Sequence, residues 1–357
     1  MRKKGLLTAL LLTATMAFGL VGCGKNTDSK ETDTTNTTKA TDTASETKET
    51  PKELKKLKIL VPGVSGSGEG ALSEVLSIAY KENFLEKELN AVGYTAEIIG
   101  FSTAGVGVNE ALAAGEGDIA VYGDFPAVTY LSNNDDVSIF AVSSSRVQIG
   151  VIAKDDIKTV QDLKGKKIAT GIGTTCYKYL EDLLKKNGLS YDDVEIVNAN
   201  FDSVSLYASG QVDAIAYVSS LLYSAKQYGQ GNIITSNGKD EELASTFIAV
   251  GKNKFLKENP DVVTAVKKAF TSAKEFAAAN PSAAYEDFAK DADGTYTADI
   301  YKEIYDFDET FSYFEPEVTD EVITSLQGVA DYMLANGYIK KEINIKDYVY
   351  SIEASNK

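Results

Sequence analysis

Gly115-Glu116-Gly117-Asp118-Ile119-Ala120-Val121-Tyr122 and Gly210-Gln211-Val212-Asp213-Ala214-Ile215-Ala216-Tyr217 carry glycine, aspartate and tyrosine at identical spacing. In each, the apolar run after the aspartate predicts a strand whose end carries the tyrosine, with a helix following. Working outward from the first copy, residues 57–61 read as a strand stopped by Pro62-Gly63. Ser65-Gly66-Ser67-Gly68 then leads into one long helical pattern through Leu72, Val75, Leu76, Ala79, Leu85 and Leu89, ended by Gly93. Residues 96–99 form a further strand before a helix from Gly105. Around the second copy, 137–142, 148–153, 167–170 and 194–197 read as strands, and 160–163 as a short helix. Gly171-Ile172-Gly173-Thr174-Thr175 opens a helix that runs to Asn187 and stops at Gly188. Strand, glycine-rich loop and helix thus alternate in two series, which predicts two α/β lobes built on parallel sheets. Ligands of such sheets sit beyond the carboxyl ends of the strands, where loops meet helix N-termini. Facing lobes would place Tyr122 and Tyr217 at the mouth of a shared cleft.

The chain has 357 residues, enough for two domains. Its 52 acidic residues outnumber 36 basic ones, giving a net charge of −16, which disfavours a nucleic-acid partner. Histidine is absent, which removes Ser–His–Asp and Cys–His catalysis, histidine-ligated zinc and histidine as a general base. The two cysteines, Cys23 and Cys176, cannot make a four-cysteine metal site or a CxxC pair. No Gly-x-x-x-x-Gly-Lys-Ser/Thr loop occurs, so ATP hydrolysis of that kind is excluded. The expectation is a non-enzyme without metal or cofactor.

Met1-Arg2-Lys3-Lys4 is a basic start, followed by an apolar stretch over 6–20 and then by Leu20-Val21-Gly22-Cys23. The stretch is short and interrupted for a membrane span of about 20 apolar residues, and it has the layout of an export signal. The closing four residues look like a bacterial lipobox, in which Cys23 becomes the lipidated N-terminus; the other reading is an ordinary export signal with a chance cysteine. Asn26 to Glu53 is almost entirely Thr, Ser, Asp, Glu and Lys, too polar to repay the entropy of ordering, and reads as a tether. The expected division is a signal peptide over 1–22, lipidated cysteine and tether over 23–55, lobe one over 56–144 and 244–357, and lobe two over 145–243.

Ile157-x-x-Val160-x-Asp162-Leu163-Lys164-Gly165-Lys166-Lys167-Ile168-Ala169 resembles the opening of the second lobe in transporter solute-binding proteins. Gly173-Thr174-Thr175-x-Tyr177, Gly210-x-Val212-Asp213-Ala214 and Lys254-Phe255-x-x-x-Asn259-Pro260-Asp261-Val262-Val263 carry the same resemblance. The nearest group is the taurine, aliphatic sulfonate and nitrate binders, in the larger family that includes carriers of thiamine-pyrimidine precursors. The resemblance implies the type II periplasmic-binding-protein fold, with two α/β lobes joined by a two-strand hinge near 143–145 and 243–246 and a ligand cleft between them. It implies a monomeric, extracytoplasmic subunit of an ABC importer, tethered to the membrane by the lipid on Cys23. Such a subunit delivers a small ligand to a permease and its ATPase. Two departures bear on the ligand: the chain has no tryptophan, and Asp124 stands where a small residue is expected.

Several residues are candidates for ligand contact. Thr174 and Thr175 open a helix, where hydroxyls and free N–H groups favour an anion, although plain N-capping reads the same. Ser65, Gly66 and Ser67 form the corresponding turn of lobe one, or a flexible loop. Arg146, the sole arginine after Arg2, offers a bidentate fork for a sulfonate or carboxylate, or pairs with a surface acid. Asp124, beside Gly123, would hold an ammonium opposite it, as taurine requires, or cap the helix near Pro126. Tyr122 and Tyr217 could sandwich a ligand or fill the core, and Ser219 follows the second. Asp118 and Asp213 read as turn or cap residues, Cys176 as a small buried residue, and the tyrosines over 296–313 as packing between C-terminal helices. A sulfonate or taurine-like ligand is expected; a thiamine-type pyrimidine, riboflavin or another aromatic, or a role as a surface sensor, are the alternatives.

Overall fold

The computed structural model describes residues 53–63, 66–67, 72, 74–228, 231–238, 240–290 and 297–351. The expected leader, Cys23 and Ser65 lie outside them. The first sheet has six strands: β1 (Lys55–Pro62), β2 (Gly66–Ser67), β3 (Tyr94–Phe101), β4 (Ile119–Gly123), β5 (Val137–Ser144) and β11 (Phe247–Lys252), in the order β2-β3-β1-β4-β11-β5. The second holds β6 (Ile149–Ala153), β7 (Lys167–Thr170), β8 (Glu195–Asn198), β9 (Ala214–Val218) and β10 (Asn232–Ser236), in the order β10-β6-β9-β7-β8.

The sheets are mixed, which amends the expectation of parallel ones. In the first, β3, β1 and β4 run parallel and β11 lies antiparallel between β4 and β5. In the second, β8, β7 and β9 run parallel and β6 lies antiparallel between β9 and β10. Apart from the edge strand β2, the two orders match when one is reversed, and in each the central antiparallel member is the strand made just after the chain crosses from the other sheet.

The repeated octapeptide explains the match. Gly115 ends helix α3 (Gly105–Ala114) with φ of 73°, and Gly210 ends the turn after α6 (Ser203–Ala208) with φ of 74°, a left-handed conformation that glycine adopts without strain. The Asp118 carboxylate accepts from Lys58 N at 2.9 Å, and that of Asp213 accepts from Lys167 N at 3.0 Å. The backbone N–H of each aspartate donates to the same lysine's carbonyl, and its carbonyl accepts from Lys252 N or Lys154 N. Each aspartate therefore clamps three strands together at their entry end, far from the cleft end.

Helices cover both faces of the first sheet. On one lie α1 (Glu74–Lys81), α2 (Phe84–Ala91), α9 (Pro260–Ala279), α10 (Pro281–Lys290) and α11 (Ala298–Tyr305); on the other α3, α4 (Asp124–Asn133) and α12 (Asp320–Ala335). Along α9 the buried positions Val262, Val266, Ala269, Phe270, Ala273 and Ala277 recur every three or four residues, a single apolar stripe. The helix expected over 72–89 is broken in two, because Asn83 turns left-handed at φ of 63°. Asparagine tolerates that region better than other non-glycine residues. The second sheet has its own core, to which α5 (Thr175–Lys186) and α7 (Ser219–Tyr228) contribute. Among the described residues no helix is long and apolar enough to cross a membrane.

The chain passes between the sheets after β5 and returns before β11. The two crossings are tied by Val147 N donating to Ser245 O at 2.9 Å and by wholly buried Asn237, whose amide oxygen accepts from Ile149 N and whose NH₂ donates to the Val147 and Leu243 carbonyls.

Candidate ligand-binding cleft

The carboxyl ends of β1, β4, β7 and β9 all give onto one cavity of 380 Å³. Among the described residues five helices begin at its wall: α1 at Glu74, α3 at Ala104-Gly105, α4 at Gly123, α5 at Thr174-Thr175 and α7 at Ser219-Ser220. The first turn of a helix has unsatisfied N–H groups and the positive end of the macrodipole, so this convergence makes a positive field without a basic side chain. Among the described lining residues there is neither lysine nor arginine. Two lining residues hold strained backbone, Glu74 at φ of 57° and Ala104 at φ of 54°, as residues at functional sites often do.

The rest of the wall is apolar and aromatic, including Phe201, Tyr217, Phe247, Phe288, Tyr301 and Tyr305. Phe288 lies against both Tyr301 and Tyr305, with ring centroids at 5.4 and 5.2 Å. The C-terminal tyrosines thus do more than pack helices: two of them form a wall of the cavity, which corrects their reading as packing alone.

Gly123, Thr174, Thr175, Tyr217 and Ser219 line the cavity together. The Thr174 hydroxyl accepts from Tyr177 N and donates to Gly171 O, so it caps α5. Thr175 reaches across to α4, donating to the Asp124 carboxylate at 2.9 Å. Gly123 is required for that approach: a Cβ there would lie 2.1 Å from the Thr175 hydroxyl. Gly66 and Ser67 pair with Gly100 and Ile99 as a short antiparallel edge.

Three expected residues stand elsewhere. Tyr122 is fully buried in the core shared with α3, α4 and α12, because strand alternation turns Gly123 toward the cavity and Tyr122 away from it. Asp124 is buried, and both of its carboxylate oxygens are bonded. One carboxylate oxygen accepts from Phe125 N and Thr175 Oγ1, the other from Thr246 N at 2.9 Å. Burial raises its pKa against those bonds. Arg146 sits at the first crossing, where its guanidinium lies 5.6 Å from the Phe307 ring and donates to Gly238 O at 3.5 Å. It is not among the lining residues.

Glu74 is the functional side chain that sequence reasoning passes over. It is 5 % exposed and lines the cavity, and Tyr305 Oη donates to its Oε1 at 3.0 Å. Burial pushes its carboxyl up to about 8, against the opposing pull of the Tyr305 and Ser144 hydroxyls. The one available signal is an acid set between Leu72 and Val75 within an apolar run. Cys176 also lines the cavity, its thiol pushed up to about 12 by burial and so held un-ionised.

A Brucella abortus protein provisionally named a binding protein is 28% identical over 291 residues, covering 77% of this chain and 86% of its own. A Bacillus subtilis protein provisionally named an aliphatic sulfonates-binding protein is 27% identical, covering 97% of this chain and 94% of its own. The solved alkanesulfonate-binding protein of Xanthomonas axonopodis pv. citri, bound to MOPS, shares the fold with a TM-score of 0.69 at 20% identity, covering 84% of this chain and 99% of its own. Residues 98–284, more than half of the chain, match the family described as NMT1/THI5 like, and this chain, with its two linked sheets and the cavity at their strand ends, belongs to that family.

Proposed function

We propose that this chain is the extracytoplasmic solute-binding subunit of an ABC importer, capturing a small organic anion or zwitterion of the sulfonate and taurine class. The observation that carries the reading is the convergence of five helix N-termini on one cavity that holds no basic side chain among its described residues. The sulfonate would lie against the first turns of α5 and α7, with Thr175, Ser219 and Ser220 beside it, and its carbon chain against the aromatic wall. The names of the Bacillus and Xanthomonas relatives support the ligand class.

The mechanism is capture followed by closure. Ligand entering between the sheets gains contacts from α1, α3 and α4 on one side and α5 and α7 on the other, so it binds the closed form more tightly and shifts the population toward it. The paired crossings at Val147–Ser245 would act as the hinge between 56–144 with 244–357 and 145–243. The closed form then docks on a permease whose partner ATPase supplies the work. On this reading the chain binds its ligand without transforming it, and burial keeps the Cys176 thiol un-ionised. Cys23 would carry the lipid that tethers a monomer to the membrane through the polar segment 23–55.

The aromatic wall favours a second reading, a flat ring such as a pyrimidine or flavin held between Tyr217, Phe201 and Phe288. Thermal unfolding of ligand-stripped protein decides between them. Taurine or an alkanesulfonate at a hundredfold excess over its Kd should stabilise the fold by about 2.7 kcal/mol. Stabilisation by pyrimidine or flavin alone would replace the sulfonate reading with the aromatic one.

A further inference from the structure

Glu74 is the one acid among the described lining residues of the cavity, and one of its oxygens is unspent. Oε1 accepts from Tyr305, whereas Oε2 is shut off from solvent and makes no hydrogen bond. Buried polar atoms are nearly always partnered, and an exception at a ligand cavity marks a place where the ligand brings the partner. The described lining has no lysine or arginine to supply it, Leu72, Phe288 and Ile304 are apolar, and the Ser144 hydroxyl beside the carboxyl makes no hydrogen bond to Oε2. The sequence offered Asp124 for an ammonium, but both its oxygens already accept, from Phe125, Thr175 and Thr246, and it does not line the cavity. The open oxygen is on α1 instead: burial favours its protonated form, and an ammonium beside it favours the carboxylate that can accept.

We propose that Glu74 is the specificity-determining residue of the cavity, its Oε2 receiving an N–H of the ligand, so that the site selects an aminoalkanesulfonate over its unaminated counterpart. This rests on the reading that the helix N-termini hold the ligand's anion. Tyr305 acts as a positioning residue: its hydroxyl holds Oε1 and leaves Oε2 without a hydrogen bond. The methyl of propane-1-sulfonate matches the ammonium of taurine in size and fills the same space without a donor. It therefore leaves Oε2 as unpartnered as the empty site does.

Calorimetric titration of the purified, ligand-stripped protein with taurine and with propane-1-sulfonate tests this. The wild type should bind taurine at least about tenfold more tightly, because a site built to bond an N–H rejects the analogue lacking it. Glu74→Gln should cut the ratio below about threefold, the loss falling mainly on taurine. Equal wild-type affinities, a preference for propane-1-sulfonate, or a Glu74→Gln protein weakened alike toward both would overturn the proposal. The wild-type ratio alone is decisive should the variant fail to fold. If neither sulfonate binds, the sulfonate reading falls, and the pair 4-aminopyrimidine and pyrimidine then tests Glu74. A preference for the amine that Glu74→Gln abolishes upholds its role, and no preference, or no binding, overturns it.

Discussion

At the scale of single residues, Glu74 couples the cleft to the stability of the fold. An unfolded glutamate titrates near 4.5, and burial moves this one to about 8. Between those values the folded chain holds the proton more tightly than the unfolded chain, so stability falls as pH rises, by up to about 1.4 kcal/mol per pH unit. Ligand-free protein should unfold at lower temperature near pH 8 than near pH 5, and Glu74→Gln should flatten that slope. A slope the variant leaves intact would assign it to other groups, such as Asp124, whose pKa burial also raises. The cleft was only partly legible at this scale. Gly171-Ile172-Gly173-Thr174-Thr175 announces a strand-to-helix turn, and Thr174 and Thr175 do reach the cavity. Tyr122 misleads because its neighbour, one residue on, takes the inward side of the strand. Phe288, Tyr301 and Tyr305 meet Glu74 only through the tertiary fold, more than 200 positions along the chain, which local pattern does not record.

At the scale of elements, apolar periodicity located most strands but not all. β11 is buried on both faces along Ile248–Gly251, so it lacks the alternation that marks a half-buried strand. The break between α1 and α2 escaped for another reason: apolar residues continue on both sides of it, and no glycine or proline marks the left-handed turn at Asn83. Asn83→Gly should leave stability unchanged or raise it slightly, since glycine adopts a φ of 63° freely. Asn83→Val should cost about 1–2 kcal/mol, because a β-branched side chain clashes in that conformation. Denaturant unfolding of both variants measures this, and equal stabilities would mean that the turn relaxes.

At the scale of the whole molecule, the sheets are joined by more than the cleft and the crossings. Tyr332 on α12 and Tyr338 just beyond it both donate to one carboxylate oxygen of Glu181 on α5. Lys178 and Lys185 of α5 lie 5.0 and 5.1 Å from the Tyr332 ring, and Lys185 pairs with Glu181 at 2.7 Å. Tyr338 also packs edge-on against Phe125 and Tyr177. This contact lies outside the cavity and spans the two sheets, so in the proposed closing motion it would favour the closed form with or without ligand. Replacing both tyrosines by phenylalanine removes two hydrogen bonds to a carboxylate, worth about 1.5–3 kcal/mol each. The double variant should bind ligand roughly a hundredfold or more weakly, at about 1.4 kcal/mol per decade. In X-ray scattering it should be more extended when empty. Unchanged affinity and scattering would show that the tyrosines decorate the rim without holding it.

The antiparallel strand inside the first sheet also dictates an order of assembly. β4 and β5 are made early in synthesis, yet the strand that joins them, β11, is made only after all of the second sheet. A chain growing from its N-terminus can complete the second sheet, within 149–236, while the first is still open along its middle. The half that is begun first is therefore finished last, its closure waiting on residues 247–252 and on the C-terminal helices that cover it.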